Sequence, residues 1–343
     1  MSNKIRIEFI VRKEASEVEL QILCSLPGVS GDEYEVHQYL SKEYQQLNLD
    51  LKKDKLGSIF GERQVENSPF KVMISSNIDE CGGMIDDIHA SGLLSFVTIG
   101  DVLPKNFLHQ RVCLLTRHHQ RVYGYILQKQ EKFWIHIGAK SQQEVEEFGV
   151  QVGDTFVLEI PVIETEQMIL SKNISNRAGV YAAYQLMETM SSLPYTLSIG
   201  GIVQSIVGYR GAITATNTIL PDVSIVLDVA PVRDYAEQTV YIRYFDKTLL
   251  PNVSLVKEIK TVAQSLGYEV KANVQEKGTD GSFIHKSLVG TPTVVVVIPL
   301  KEDGQFVQLL KKEDLKPIIH TLQVFLENLT FQKVRQLAFQ ESW

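Results

Sequence analysis

Four apolar runs in this chain end in polar clusters of a kind that can do chemistry. The clearest is Lys71 to Ile85, KVMISSNIDECGGMI. It sets Asn77, Asp79 and Glu80 behind Val72, Met73 and Ile74, then leaves through Gly82 and Gly83. Ser175, Asn176 and Arg177 form the second cluster, Gln204 and Ser205 the third, and Asp228 the fourth. Two further groups lie in the last third: Gly278-Thr279-Asp280-Gly281, and Pro299 to Gly304 with Asp303. Carboxylates gathered in this way can ligate a cation or move protons. One cluster alone more often means a strand end and a polar turn. Repetition favours a site, because open α/β sheets collect ligands in the crevice beyond the C-terminal ends of their strands.

The elements that must position these groups follow from periodicity. Glu14 to Gln46 has helical spacing, broken at Pro27-Gly-Val-Ser-Gly-Asp, with Ser30 or Asp32 as a cap for the second helix. Leu49 to Phe60 reads as a hairpin. From Gly83 to about Glu166 the strands are short and divided by turn signals. One helix is expected there, with Ser141 as N-cap and Glu144 completing a capping box. Helices are then expected at Ala178–Met190, Ser254–Leu266 and Leu315–Leu329. Strands are expected at Leu197–Val203, Val223–Val229 and Val294–Ile298. The fold class is α/β, a mixed sheet sandwiched by helices with an inserted small β-rich domain. Residues 1–80 plus 168–343 make the discontinuous larger domain, and 81–167 the insertion.

Bulk properties narrow the function. The chain has 343 residues, 44% of them hydrophobic, which is ample for a packed core. Its formal charge of -7 argues against a nucleic-acid partner. Three cysteines are too few for a disulfide framework and suit a reducing compartment. The N-terminal stretch lacks a signal-peptide core, and no apolar run reaches the roughly 18 residues that span a bilayer. A soluble cytoplasmic protein without a membrane partner is expected.

Taken in order, the motifs resemble the glutamyl and deblocking aminopeptidases, which include the tetrahedral TET peptidases. The resemblance runs from Pro27-Gly-Val-Ser-Gly to the closing helix. It implies two zinc or cobalt ions on five side chains, a glutamate base, and an inserted domain that mediates dimerisation. The family's His-x-Asp-Glu-x-Gly matches Asn77-Ile-Asp79-Glu80-Cys81-Gly82. Its Asp-Asp/Asn-Arg-x-Gly matches Ser175-Asn176-Arg177-Ala178-Gly179. Its Gln-Glu-Glu-Val-Gly-x-Arg-Gly-Ala matches Gln204-Ser205-Ile206-Val207-Gly208-Tyr209-Arg210-Gly211-Ala212. The ligand positions are therefore Asn77, Ser175, Ile206, Asp228 and, near the last one, Asp303. The base position is Ser205. The Gly278-Thr279-Asp280 motif is kept, whereas the Gly-Lys-Gly-Pro loop is replaced by Gln238-Thr-Val-Tyr-Ile-Arg-Tyr.

An amide, a hydroxyl and an alkyl group are poor substitutes for imidazole and carboxylates. Ser205 cannot accept a proton near neutral pH, and losing a general base costs about 10²- to 10⁴-fold. The expectation is a family homologue without catalytic or metal-ligating residues and without a cofactor. Its residual cleft is outlined by Asp79, Glu80, Asn176, Arg177, Thr279 and Asp280. It would serve as a scaffold, a regulatory subunit, or a binder of peptides or amino acids, in a homo-oligomer or alongside an active paralogue. The alternative is an active cytosolic metallo-aminopeptidase with zinc or cobalt on a rebuilt site: Asp228, Asp280, Glu80 and a displaced histidine such as His285. Arg177 is expected to pair with Asp228 or Asp79, and Cys81 to be a buried small apolar residue.

Overall fold

A computed structural model describes residues 19–190, 192–300, 302–303 and 306–337, with the backbone alone at 302–303. The start of the first expected helix, from Glu14, lies outside these residues. Helix α1 covers Leu20–Ser25 and α2 Tyr34–Gln46. Neither Ser30 nor Asp32 caps α2. Glu33 holds the cap position, and its side chain accepts from the Gly31 amide at 3.0 Å. The expected hairpin is present as β1 (Asp50–Lys53) and β2 (Ile59–Arg63), followed by β3 (Lys71–Asn77).

Six strands then curl into a closed barrel: β4 (Gly82–Ile88), β5 (Leu94–Ile99), β6 (Arg111–Leu115), β7 (Arg121–Lys129), β8 (Lys132–His136) and β9 (Thr155–Leu158). Helix α3 (Gln142–Glu147) lies between β8 and β9. Ser141 accepts from the Glu144 amide at 3.2 Å, while Glu144 reaches back to the Lys140 amide at 2.8 Å. The return donor is thus one residue upstream of the expected box.

Strands β10 (Ile163–Glu164) and β11 (Met168–Ser171) lead to α4 (Ala178–Thr189), β12 (Thr196–Ile202), α5 (Arg210–Ile219) and β13 (Val223–Pro231). Next come β14 (Thr239–Asp246), α6 (Val253–Ser265), β15 (Glu269–Gln275), the short α7 (Gly281–Ile284) and β16 (Thr293–Leu300). The chain closes with β17 (Glu302–Asp303), β18 (Gln308–Lys311), α8 (Leu315–Glu327) and α9 (Phe331–Leu337). The main sheet runs β1-β2-β12-β3-β13-β16-β14-β15. Its middle four strands are parallel, and β14 meets β16 antiparallel. A smaller sheet runs β10-β11-β18-β17.

Period-two alternation along the buried strands gives the sheet two cores. Ile225 and Leu227, with Val294 and Val296, face the larger core, which also takes buried residues from α2, α4, α6 and α8. Val226, with Val295 and Val297, faces the smaller core against Ala212, Ala215 and Ile219 of α5. Among the described residues no helix is long and apolar enough to cross a membrane.

Candidate functional site

A cavity of about 610 Å³ opens beyond the C-terminal ends of the parallel strands β3, β12 and β13. Asn77 closes β3, and Ser175 and Asn176 sit in the turn before α4. Ser205 and Ile206 follow β12, Asp228 is part of β13, and Thr279 and Asp280 precede α7. All eight side chains line this one space. The sequence therefore marked a real convergence, located where a parallel sheet leaves a crevice.

Three expected cleft residues do not line it. Asp79 is fully buried behind the 204–209 loop, and its Oδ2 accepts from the Ile206 amide at 2.9 Å. Burial pushes its carboxyl up, partly opposed by the bond from the Ile206 amide. Glu80 turns away and accepts from the Gly28 amide at 2.9 Å and from Lys172 Nζ at 3.0 Å. Arg177 is also fully buried. It lies 3.7 Å from Glu80 and donates to the carbonyls of Leu23, Leu26, Ile78 and Asn176. Its expected pairing with Asp228 or Asp79 is corrected: it ties the exit of β3 to the end of α1.

The partner of Asp228 is Arg243. Register explains this. Asp228 lies opposite Val297, and Val297 opposite Tyr241, so these three side chains share the face of the smaller core. Arg243 is two residues past Tyr241 and shares that face. Its guanidinium is wholly buried, with Nε and Nη1 lacking partners among the described residues. Burial raises the Asp228 carboxyl, and Arg243 pulls it back down. Arg243 itself is lowered by burial, offset by Asp228 and then Asp246.

Asp280 and Asp101 are further acids on the cavity wall. Ser205 Oγ donates to the two Asp280 oxygens at 2.8 and 3.0 Å. Burial lifts the Asp280 carboxyl well above the ordinary range, with the Ser205 hydrogen bond opposing and the Asp79 and Asp228 charges adding. Thr279 hydrogen-bonds Asp246, which also accepts from Ser282 at 2.9 Å, so the Gly-Thr-Asp turn is anchored from below. The loop that carries Ser205 is held from behind as well. Glu33 accepts from the Gln204 amide at 3.0 Å, and burial pushes its carboxyl up to about 7. Gln204 and Tyr209 bracket this loop with φ of 54° and 57°, a region uncommon for residues other than glycine.

The donors here do not fit the two-metal centre that the resemblance implies. Asn77 and Ser175 are neutral, Ile206 has no lone pair, and Asp228 is already held by a guanidinium. Among the described residues no three His, Cys, Asp or Glu side chains converge to hold an ion. The side chain of Asp303 lies outside what is described. The rebuilt set does not assemble either. Asp228 and Asp280 line the cavity, whereas Glu80 faces Lys172 and neither Glu80 nor His285 is on the cavity wall. Cys81 lines the cavity wall, and burial pushes its thiol up to about 11.

Sequence reasoning missed Arg243, Tyr209, Lys277 and Gln308. The last three line the cavity. Tyr209 donates to the Gly278 carbonyl, and burial with nearby carboxylates pushes its phenol up to about 12. Alternation along β14 is the signal that could have placed Arg243 with Tyr241. Nothing local marked the others.

Comparison with known proteins agrees with the fold. The family model for the M42 glutamyl aminopeptidases matches residues 57–320. The FrvX protein of Escherichia coli strain K12 is 31% identical over 347 residues, spanning 93% of this chain and 97% of that one. The crystal structure of a TET aminopeptidase from the marine sediment archaeon Thaumarchaeota archaeon SCGC AB-539-E09 superposes with a TM-score of 0.86. It is 27% identical and covers 93% of this chain and 98% of that one. The TET1 peptidase of Pyrococcus horikoshii shares the fold at a TM-score of 0.81 and 21% identity, over 90% of this chain and 98% of its own. That peptidase can assemble into a tetrahedron or a large octahedral shell. The family match over most of the chain, with the FrvX identity, places this protein among the M42 glutamyl aminopeptidases.

Proposed function

We propose that this M42 homologue uses its cavity to bind a peptide or amino acid and does not carry out the family's metal-assisted peptide hydrolysis. The observation that carries this reading is the Arg243–Asp228 pair. The one acid described at a family ligand position is neutralised by a cation from the protein itself. With Ser205 at the base position, neither an activated water nor a proton acceptor is supplied there. What remains is a concave space lined by amides, hydroxyls, the carboxyls of Asp101 and Asp280, Lys277 and a few apolar walls, suited to recognition.

The reading extends to assembly and place. Kinship with shell-forming peptidases supports a homo-oligomer, with residues 81–167, which carry the barrel, as an inserted dimerisation module. A cytoplasmic location is part of the proposal. A scaffold or regulatory role beside an active paralogue fits the same assembly.

The test is metal analysis of purified protein by plasma mass spectrometry, with an assay on amino-acyl p-nitroanilides before and after chelation. The expected result is substoichiometric metal, no turnover, and thermal stabilisation by dipeptides. Stoichiometric zinc or cobalt with chelator-sensitive turnover would overturn the proposal in favour of a rebuilt metallo-aminopeptidase.

A further inference from the structure

Beside the main cavity lies a smaller chamber of about 90 Å³. Cys81, Ser175, Asn176 and Gln308 wall both spaces, and Glu80, Lys172 and Asn173 line the chamber alone. A water occupies about 30 Å³ of liquid, so the chamber has room for a carboxylate group.

Its charges do not balance. Glu80 sits between Lys172 Nζ at 3.0 Å and Arg177 Nη2 at 3.7 Å, and all three side chains are buried. Two cations within 4 Å of one anion leave this cluster with an excess positive charge, and the nearby Asp79 carboxyl is turned to the Ile206 amide. The carbonyls that receive Arg177 supply dipoles and no charge. The neighbouring Cys24 thiol is no counter-ion, because burial pushes it up to about 12. The donors do not balance either. An ammonium carries three N–H groups, and Glu80 is the hydrogen-bond partner of Lys172 among the described residues. Asn173 buries an Nδ2 with no partner among them. Buried charges and donors left uncompensated are costly, and an anionic group would satisfy both.

We propose that this chamber takes the carboxylate of an amino acid or peptide lying in the main cavity, with Lys172 and Asn173 as its donors. The inference rests on the binding function proposed above. Two carboxylates share this chemistry, an acidic side chain and a free C-terminus.

The experiment is calorimetric titration of the full chain with Ala-Glu and Ala-Gln, each with a free and an amidated C-terminus. Neutralising the carboxylate that enters the chamber weakens binding about tenfold or more. Loss from Glu to Gln assigns the side chain, and loss on amidation assigns the C-terminus. Asn173→Asp adds a negative charge at the same shape, and the left-handed backbone there, with φ of 60°, suits either residue. In that variant the acidic forms weaken about tenfold while amidated Ala-Gln keeps its affinity. The double variant Lys172→Met/Glu80→Gln leaves no orphaned partner within this pair and shows the same selective loss. Equal affinity for all four peptides, or acid binding unmoved in both variants, sinks the chamber alone. No binding of any of the four to the parent sinks the chamber together with the binding function.

Discussion

Glu33 is a buried acid whose bonds hold the Ser205 loop, and its carboxyl is raised from 4.5 to about 7. A carboxyl raised in the folded chain holds its proton more tightly there than in the unfolded chain. Its stabilising share is complete below about 4.5 and is lost as pH climbs through about 7. The swing is at most about 3 kcal/mol. Glu33→Gln keeps an oxygen that can accept from both amides, so its urea midpoint should change less between pH 5 and 8 and exceed the parent's at pH 8. A variant that tracks the parent across that range clears Glu33 of the effect. Arg243 makes a different prediction. Arg243→Met strands an Asp228 carboxylate that is 20% exposed on the cavity wall, so the loss should fall below the roughly 3–5 kcal/mol of a fully buried pair. Adding Asp228→Asn should recover at least half of that loss in urea unfolding, and strictly additive losses would count against the pairing. The candidate site was legible where side chain and local motif coincide: Asn77, Ser175, Ser205, Ile206, Asp228 and Asp280 all reach the cavity. The cation was not legible. Arg243 comes from a strand whose antiparallel approach to β16 no local pattern announces.

At the level of elements, α4 shows how close packing was encoded. Its small residues Gly179, Ala182 and Ala183 are buried. A Cβ built on Gly179 would lie 2.1 Å from Ser76 Oγ and 2.7 Å from the Leu227 carbonyl. Gly179→Ala should therefore destabilise by about 1–3 kcal/mol or more by chemical denaturation. Ser76→Gly in the same chain should restore only part of this, since the Leu227 oxygen remains. A Gly179→Ala chain as stable as the parent would mean that the helix stands off the sheet. The β-branched run of β16 and the apolar core of β3 were readable for a related reason: strands buried on both faces show nearly unbroken apolar sequence. Barrel strands are half-exposed, and their turn signals told only that strands were short. Closure, with β4 meeting β9, depends on pairings distant in sequence.

Across the whole molecule, the barrel and the large sheet share a seam. Val29, fully buried, packs in one cluster with Cys113, Leu115 and Val157. Thr155 donates to Asp32 at 2.9 Å, and Arg121 pairs with Glu35. One calorimetric transition is therefore expected. Val29→Asp should split it in two or lower its midpoint by several degrees. A scan identical to the parent's would show that the seam carries no cooperativity. Among the described residues the large sheet also has two open margins that the barrel lacks. Its outermost strands, β1 and β15, carry Asp50, Lys52 and Lys53 on one side and Glu269 and Lys271 on the other. An unpaired strand invites another chain to add on, and charged side chains discourage it. Polymerisation into fibrils is thus opposed at both ends by ordinary ionic residues. Replacing Glu269 and Lys271 with valine should shorten the lag before turbidity in a concentrated solution.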